Sequence, residues 1–328
     1  VLVLTRSDLE RALPVEACIA AMREAMRATS ERRCVLPLRE FMPIPGKPGK
    51  LGLMPGYLGG DGECFGVKIV SKFERPPGDP HGSHVGAVML FNAATGLPVA
   101  LLEGGTLTAI RTAATTAMAT DALARADARC LAAFGTGEEA WHHIRTLLVV
   151  RPFDRVVVWG RSPERAAALI ERLALPGTTH AEVATSLAAA LAQADVVCTV
   201  TSAQEPFVRG EWLRPGVHLN LVGSAIPTTA EVDEATVAAG RFFVDYLDAA
   251  RAQAGEFLRA VKSGAVSENH IAGEIGEVLL GRKPGRTSAA EITIYKSLGV
   301  TTQDLAAAQL ALRIARAQGL GRELALSE

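Results

Sequence analysis

The feature that most limits what this chain can fold into is a glycine turn set between an apolar strand and a helix, in the run Ala128-Arg129-Cys130-Leu131-Ala132-Ala133-Phe134-Gly135-Thr136-Gly137-Glu138-Glu139-Ala140. Glycine lets the strand turn sharply and the backbone approach a phosphate, and the unpaired N–H groups of the following helix then face the anion. Ala140 stands at the third small position of a G-x-G-x-x-G/A pattern, where a small side chain allows close helix–strand packing. Such turns occur in many α/β proteins, so the reading rests on what surrounds this one. From Ala128 onward, strands and helices alternate in the βαβ manner. Further strands are predicted at Val156–Trp159, near Ala181–Ala184, and at Ala194–Thr199, Val217–Leu221 and Arg241–Asp245. With the first they make about six parallel strands, a full doubly wound nucleotide-binding domain.

The second strand ends where such a fold selects its cofactor. An Asp or Glu there accepts from the ribose 2′-OH of NAD, whereas an Arg accommodates the 2′-phosphate of NADP. Here the run is Trp159-Gly160-Arg161-Ser162-Pro163, with a cation and a hydroxyl and no carboxylate at the strand end. NADP(H) is the preferred expectation, with NAD(H) possible.

The 328 residues suggest two domains, and a net charge of −1 with both signs interspersed gives no basic face for nucleic acid. Hydrophobic content of 48% with only 5% aromatic residues fits an Ala/Val/Leu-rich α/β enzyme. Five scattered cysteines with no C-x-x-C pair point to a reducing compartment, and Cys130 and Cys198 fall in strands expected to be buried. The histidines form no metal pattern. No apolar run reaches the roughly 18 residues of a membrane span, and the start lacks a signal-peptide layout, so a cytoplasmic location without membrane contact is expected.

The first ~105 residues predict an α+β unit on an antiparallel or mixed sheet. Residues 7–30 read as helix, with Ser7 as N-cap and a break at Pro14. Strands follow at Phe65–Phe73, Val85–Phe91 and Leu97–Leu102, the last two joined by a hairpin turn through Gly96. A helix is expected over Thr108–Ala124. Near the end, Glu291–Gly299 and a helix over Thr302–Ala317 are expected to pack on this first unit.

Three cations stand out. Lys68 lies amid Val67, Ile69 and Val70: it either enters a pocket, where desolvation would lower its pKa into the range of a general acid, or shares a solvated face with Lys72. Arg111 is the sole charge between Gly104 and Thr120, in a stretch of small residues. Isolation there implies burial with an anionic partner, either a substrate carboxylate or a core Asp or Glu. Arg39 is a weaker candidate of the same kind.

The runs Thr108-Ala109-Ile110-Arg111-Thr112-Ala113-Ala114, Gly135-Thr136-Gly137, Val158-Trp159-Gly160-Arg161-Ser162, Asn220-Leu221-Val222-Gly223-Ser224 and Lys296-Ser297-Leu298-Gly299 resemble, in order and over nearly the whole chain, the ornithine cyclodeaminase/μ-crystallin family. The resemblance implies a Rossmann domain over residues 116–295, a substrate-binding and dimerisation domain from 1–115 with 296–328, and a homodimer. It implies NAD(P)-dependent hydride transfer at the α-carbon of imino or amino acids. Arg39 and Arg111 would bind the substrate carboxylate, and Lys68 would act at the α-nitrogen. The candidate cofactor contacts are Thr112, Gly135, Thr136, Gly137, Glu138, Glu139, Ala140, Trp159, Arg161, Ser162, Thr199, Ser224 and Lys296.

One departure matters. Family cyclodeaminases carry an aspartate where this chain has Ala225, in Gly223-Ser224-Ala225-Ile226-Pro227. Ring closure needs a base for the distal amine, and alanine is none. The expectation is therefore a reductase of cyclic ketimines of the pyrroline-2-carboxylate type. The alternatives are an ornithine cyclodeaminase or amino-acid dehydrogenase with its base elsewhere, and a cofactor- or ligand-binding protein.

Overall fold

The computed structural model describes residues 1–73 and 85–325. The chain forms two compact units, Val1–Thr115 with Val300–Glu328, and Thr116–Gly299.

The first unit is built on β1 (Leu2–Leu4), β2 (Cys34–Val35), β3 (Glu40–Pro43), β4 (Gly49–Leu58), β5 (Cys64–Phe73), β6 (Val85–Asn92) and β7 (Pro98–Glu103). The sheet runs from a closing strand, Arg322–Glu323, through β1, β7, β6, β5 and β4 to β2, with β3 also on β4. Its pairings are antiparallel except for β1 with β7. Successive strand residues face opposite sides. Lys68 and Val70 therefore sit on a buried inner face, while Phe65, Ile69 and Phe73 stand exposed on the outer one. The inner face packs against the helix Thr301–Gln318, which also contacts α2 (Val15–Ser30). Gly96 takes the left-handed conformation that the hairpin turn requires, at φ +70°.

At the N-terminus, α1 (Arg6–Ala12) is capped by Thr5 and not by Ser7: the Thr5 N–H and hydroxyl both donate to Asp8 Oδ2, at 2.9 and 2.6 Å. α3 (Gly104–Leu123) starts four residues before the expected helix. The Glu103 carboxylate accepts from the N–H groups of Gly105 (2.6 Å) and Thr106 (2.8 Å), anchoring the helix start. The unit boundary falls inside α3, after Thr115.

The second unit is a parallel sheet of β8 (Cys130–Phe134), β9 (Arg155–Trp159), β10 (His180–Val183), β11 (Val196–Thr199), β12 (His218–Leu221), β13 (Arg241–Val244), β14 (Ile271–Glu274) and β15 (Thr293–Lys296). The order is β10-β9-β8-β11-β12-β15-β13-β14, so the sheet has eight strands where the sequence reading expected six. The additions are β14, a four-residue strand containing Gly273, and β15. The assignment of Glu291–Gly299 to the first unit is corrected: β15 inserts between β12 and β13, so Lys296 to Gly299 belong to the second unit. A strand only four residues long and ending in lysine carries too little apolar pattern to reveal which sheet receives it.

None of the five cysteines forms a disulfide, and Cys130 and Cys198 are buried in their strands. Among the described residues, no helix is long and apolar enough to cross a membrane, and no group of His, Cys, Asp and Glu could hold a metal ion.

Candidate active site

In the first unit, the middle of β5 delivers Lys68, α3 delivers Arg111, and the first turn of Thr301–Gln318 delivers Gln303 and Asp304. Lys68 Nζ donates to Asp304 Oδ1 at 3.3 Å, and Arg111 Nε donates to the same oxygen at 2.9 Å. Arg111 Nη1 donates to Gln303 Oε1 at 2.8 Å. Lys68 is 3% exposed, Arg111 4% and Asp304 0%. Arg111 thus has the core carboxylate that the sequence left open, and that carboxylate is shared with Lys68. Two cations meet one anion here, and the excess positive charge suits a further carboxylate.

Burial dominates the Lys68 ammonium and pulls it down to about 7, with Asp304 opposing and Arg111 and Arg39 assisting. Asp304 is held below its usual value: burial pushes it up, but the adjoining Arg111 and Lys68 outweigh that. Among the described residues Asp304 Oδ2 is buried without a hydrogen-bond partner, and leaving a buried acceptor unpaired costs about 1–3 kcal/mol. Arg39 is half-buried before β3 and acts electrostatically on Lys68. The Thr112 hydroxyl is engaged within α3, donating to the Thr108 carbonyl at 2.6 Å.

In the second unit the chain turns sharply from β8 into a helix through two glycines. Gly135 sits at φ +134°, and a Cβ there would lie 2.7 Å from the Val200 carbonyl oxygen. Gly137 precedes α4 (Glu138–Val150) without a side-chain cap, and a Cβ on it would meet nothing within 4 Å. The backbone at Gly137 thus leaves room beside the start of α4, and Ala140 is fully buried, as close packing demands. Thr136 packs against Gly160, where a Cβ would fall 2.5 Å from the threonine methyl. Glu138 and Glu139 also stand in this first turn and compete with a phosphate for the helix end. Glu139 Oε2 is turned toward His143, 3.5 Å from Nδ1.

At the end of β9, Trp159 stacks on Phe207 with ring centroids 5.7 Å apart. Arg161 is exposed, and Ser162 caps α5 (Pro163–Leu173) by accepting from the Arg165 N–H. The Ser162 hydroxyl donates to Glu164 at 2.6 Å, so a carboxylate absent from the strand end stands one step into the helix.

Thr199, Ser224 and Lys296 lie at or just beyond the C-terminal ends of β11, β12 and β15, buried and engaged inside the unit. The Thr199 hydroxyl donates to Glu231 at 2.7 Å. Ser224 Oγ donates to the Thr229 carbonyl at 2.7 Å. Lys296 Nζ lies 3.0 Å from Glu256 Oε2 and donates to the Ser224 carbonyl. Glu231 also accepts from the Thr201 N–H (2.8 Å), the Thr201 hydroxyl (2.7 Å) and the Gly223 N–H (2.8 Å). It ties together the loops after β11 and β12. These three side chains shape the loops at the strand ends where open α/β sheets bind ligands.

Sequence reasoning missed Asp304, Gln303, Glu231 and Glu256. The signal for the first two was weak but present: Thr301-Thr302-Gln303-Asp304 is a polar opening to an otherwise Ala/Leu-rich helix, and all four residues are buried.

Residues 1–317 match the family model described as the ornithine cyclodeaminase/mu-crystallin family. A Δ1-pyrroline-2-carboxylate reductase of Bacillus thuringiensis is 32% identical over 98% of this chain and 99% of its own. The Δ1-pyrroline-2-carboxylate reductase of Thermococcus litoralis, solved with NADH and L-proline, superposes with a TM-score of 0.94 at 30% identity, over 99% of this chain and 100% of that one. An archaeal alanine dehydrogenase dimer with bound NAD superposes with a TM-score of 0.92 at 27% identity, over 99% of each chain. With its Lys68–Asp304–Arg111 cluster and its open glycine turn, this chain belongs to the ornithine cyclodeaminase/μ-crystallin family.

Proposed function

We propose that this chain is a nicotinamide-dependent reductase of α-imino acids, acting on a ketimine of the pyrroline-2-carboxylate type. The observation that carries the reading is the buried convergence of Lys68 and Arg111 on Asp304. Arg111 directs Nε and Nη1 to the protein, and Nη2 has no partner among the described residues. Nη2 and Arg39 bind the substrate carboxylate. When bound, a reduced nicotinamide supplies the hydride that converts the C=N carbon to CH. Lys68 supplies the proton to the nitrogen: with its ammonium pulled down to about 7, it gives up that proton readily near neutrality. Asp304 holds both cations in place, and its unpartnered Oδ2 can accept from the N–H that reduction creates. Gly135, Thr136, Gly137 and the start of α4 hold the pyrophosphate.

NADP(H) is the preferred coenzyme because Arg161 stands exposed at the end of β9 with no ion pair among the described residues. Glu164 opposes it, so the preference is modest. Arg161→Ala should reduce kcat/KM for NADPH about tenfold with little change for NADH, and Glu164→Gln should widen the preference. A homodimer fits the exposed apolar outer face of the first sheet, where Leu53, Phe65, Ile69 and Phe73 line up. A cytoplasmic location fits five cysteines of which none forms a disulfide.

The test is the initial rate of NADPH and NADH oxidation with pyrroline-2-carboxylate and piperideine-2-carboxylate. Turnover faster with NADPH is expected; none with either imine overturns the reductase reading. Ala225 offers no base for a distal amine, so ornithine should yield no proline and ammonia.

A further inference from the structure

The inner face of the first sheet carries cations that the reaction at the imine does not use. The β4–β5 register places Lys50 directly opposite Lys72, Gly52 opposite Val70 and Met54 opposite Lys68. All these positions share one face, with Lys72 about 13 Å along β5 from Lys68. Like charges set opposite each other on neighbouring strands destabilise a sheet. Asp304 pairs with Lys68 and Arg111, whereas neither Lys50 nor Lys72 has an ion-pair partner among the described residues.

The two lysines are half-buried against one aromatic ring: Nζ of Lys50 lies 4.5 Å from the Phe41 centroid and Nζ of Lys72 5.8 Å. That ring rests over Gly52, where a Cβ would come within 2.8 Å of Phe41 Cε1 and 2.9 Å of a Val70 methyl. Phe41 therefore fills the middle of the face, between the Lys68 end and the Lys50–Lys72 end. Burial, then Arg39 and Lys50, pull the Lys72 ammonium down to about 8. Arg39 acts on Lys68 as well, so it links the two ends. Facing, half-buried ammonium groups without a counter-ion are stabilised by an anion delivered from outside.

We propose that Lys72, with Lys50, forms a second anion subsite that takes a carboxylate at the far end of the substrate, making the preferred substrate a dicarboxylic α-imino acid. This rests on the imino-acid reductase reading and specifies the substrate side chain that reading leaves open. The apolar ring of Phe41 covers the span between the two carboxylates.

The experiment uses a matched pair of ring imines, Δ1-piperideine-2-carboxylate and Δ1-piperideine-2,6-dicarboxylate, with the NADPH-loaded wild type and Lys72→Met. The wild type should show a KM at least tenfold lower for the dicarboxylate. Lys72→Met should remove that advantage while leaving the monocarboxylate within twofold. A wild type that favours the monocarboxylate, or a variant that weakens both alike, overturns the subsite. Should Lys72→Met fail to fold, inhibition of the wild type decides: glutarate and succinate must inhibit at least tenfold more strongly than butanoate. If neither ring is reduced, calorimetry with glutarate separates the two readings. Binding that Lys50→Met weakens keeps the subsite and overturns the reductase, and no binding overturns both.

Discussion

Lys68 and Lys296 are both buried ammonium groups on β-strands, one in each unit, and their surroundings differ in kind. Lys68 shares one carboxylate oxygen with Arg111, and burial leaves it easily deprotonated. Lys296 meets Glu256 at 3.0 Å and a backbone carbonyl, with Glu231 behind Glu256: the Glu231 N–H donates to Glu256 Oε1 at 3.3 Å. The first cluster has too much positive charge for the protein around it, and the second has carboxylates enough to hold its lysine. A buried charge left short of partners marks a place for ligand and chemistry, while one amply partnered marks a support for the loops above it.

Replacing each lysine by methionine is the sharpest way to break this contrast. Lys68→Met should lower kcat by about 10²–10⁴-fold, the span typical of a lost general acid, without lowering the melting temperature. The sign follows from the shift: with its folded value below the unfolded one, charged Lys68 burdens the fold, so removing it does not destabilise. If Lys68→Met keeps wild-type turnover, the proton-source role is wrong. Lys296→Met should do the reverse, costing roughly 3–5 kcal/mol in denaturant unfolding because Glu256 stays buried without its cation. Equal stability losses in the two variants would erase the distinction.

Arg111→Lys probes the carboxylate end of the first cluster. It should raise the substrate KM about 10–100-fold with kcat changed only a few-fold, since a single ammonium cannot replace the guanidinium fork. The smallest effect is a pH limb. A proton donor works only in its protonated form, so kcat/KM should fall about tenfold per unit above a pH near 7, the value for Lys68 in the free protein. In Lys68→Met that limb should vanish from the residual activity; its persistence would assign the limb to another group.

Much of the site was legible along the chain because its signals are local. A glycine turn between strand and helix is set by φ angles and missing Cβ atoms, and Gly135 stands at φ +134°, where a side chain would be strained. A lone arginine in a small-residue stretch betrays burial, and Arg111 is buried. The identity of the partner was not legible, since Asp304 lies 193 residues from Arg111 and 236 from Lys68. Nor was the engagement of Thr199, Ser224 and Lys296 with Glu231, Thr229 and Glu256, because hydrogen bonds between loops at strand ends leave no periodic trace.

The residue order alone therefore decided the class of the fold, the strand–glycine turn–helix after β8, and the burial of Arg111, all of which follow from neighbours a few positions apart. Tertiary structure decided the rest. It sent β15 into the parallel sheet, set Lys50 against Lys72 and brought Lys68, Arg111 and Asp304 together. Register, burial and charge pairing depend on which distant segments exclude water from one another, and no local pattern encodes that choice.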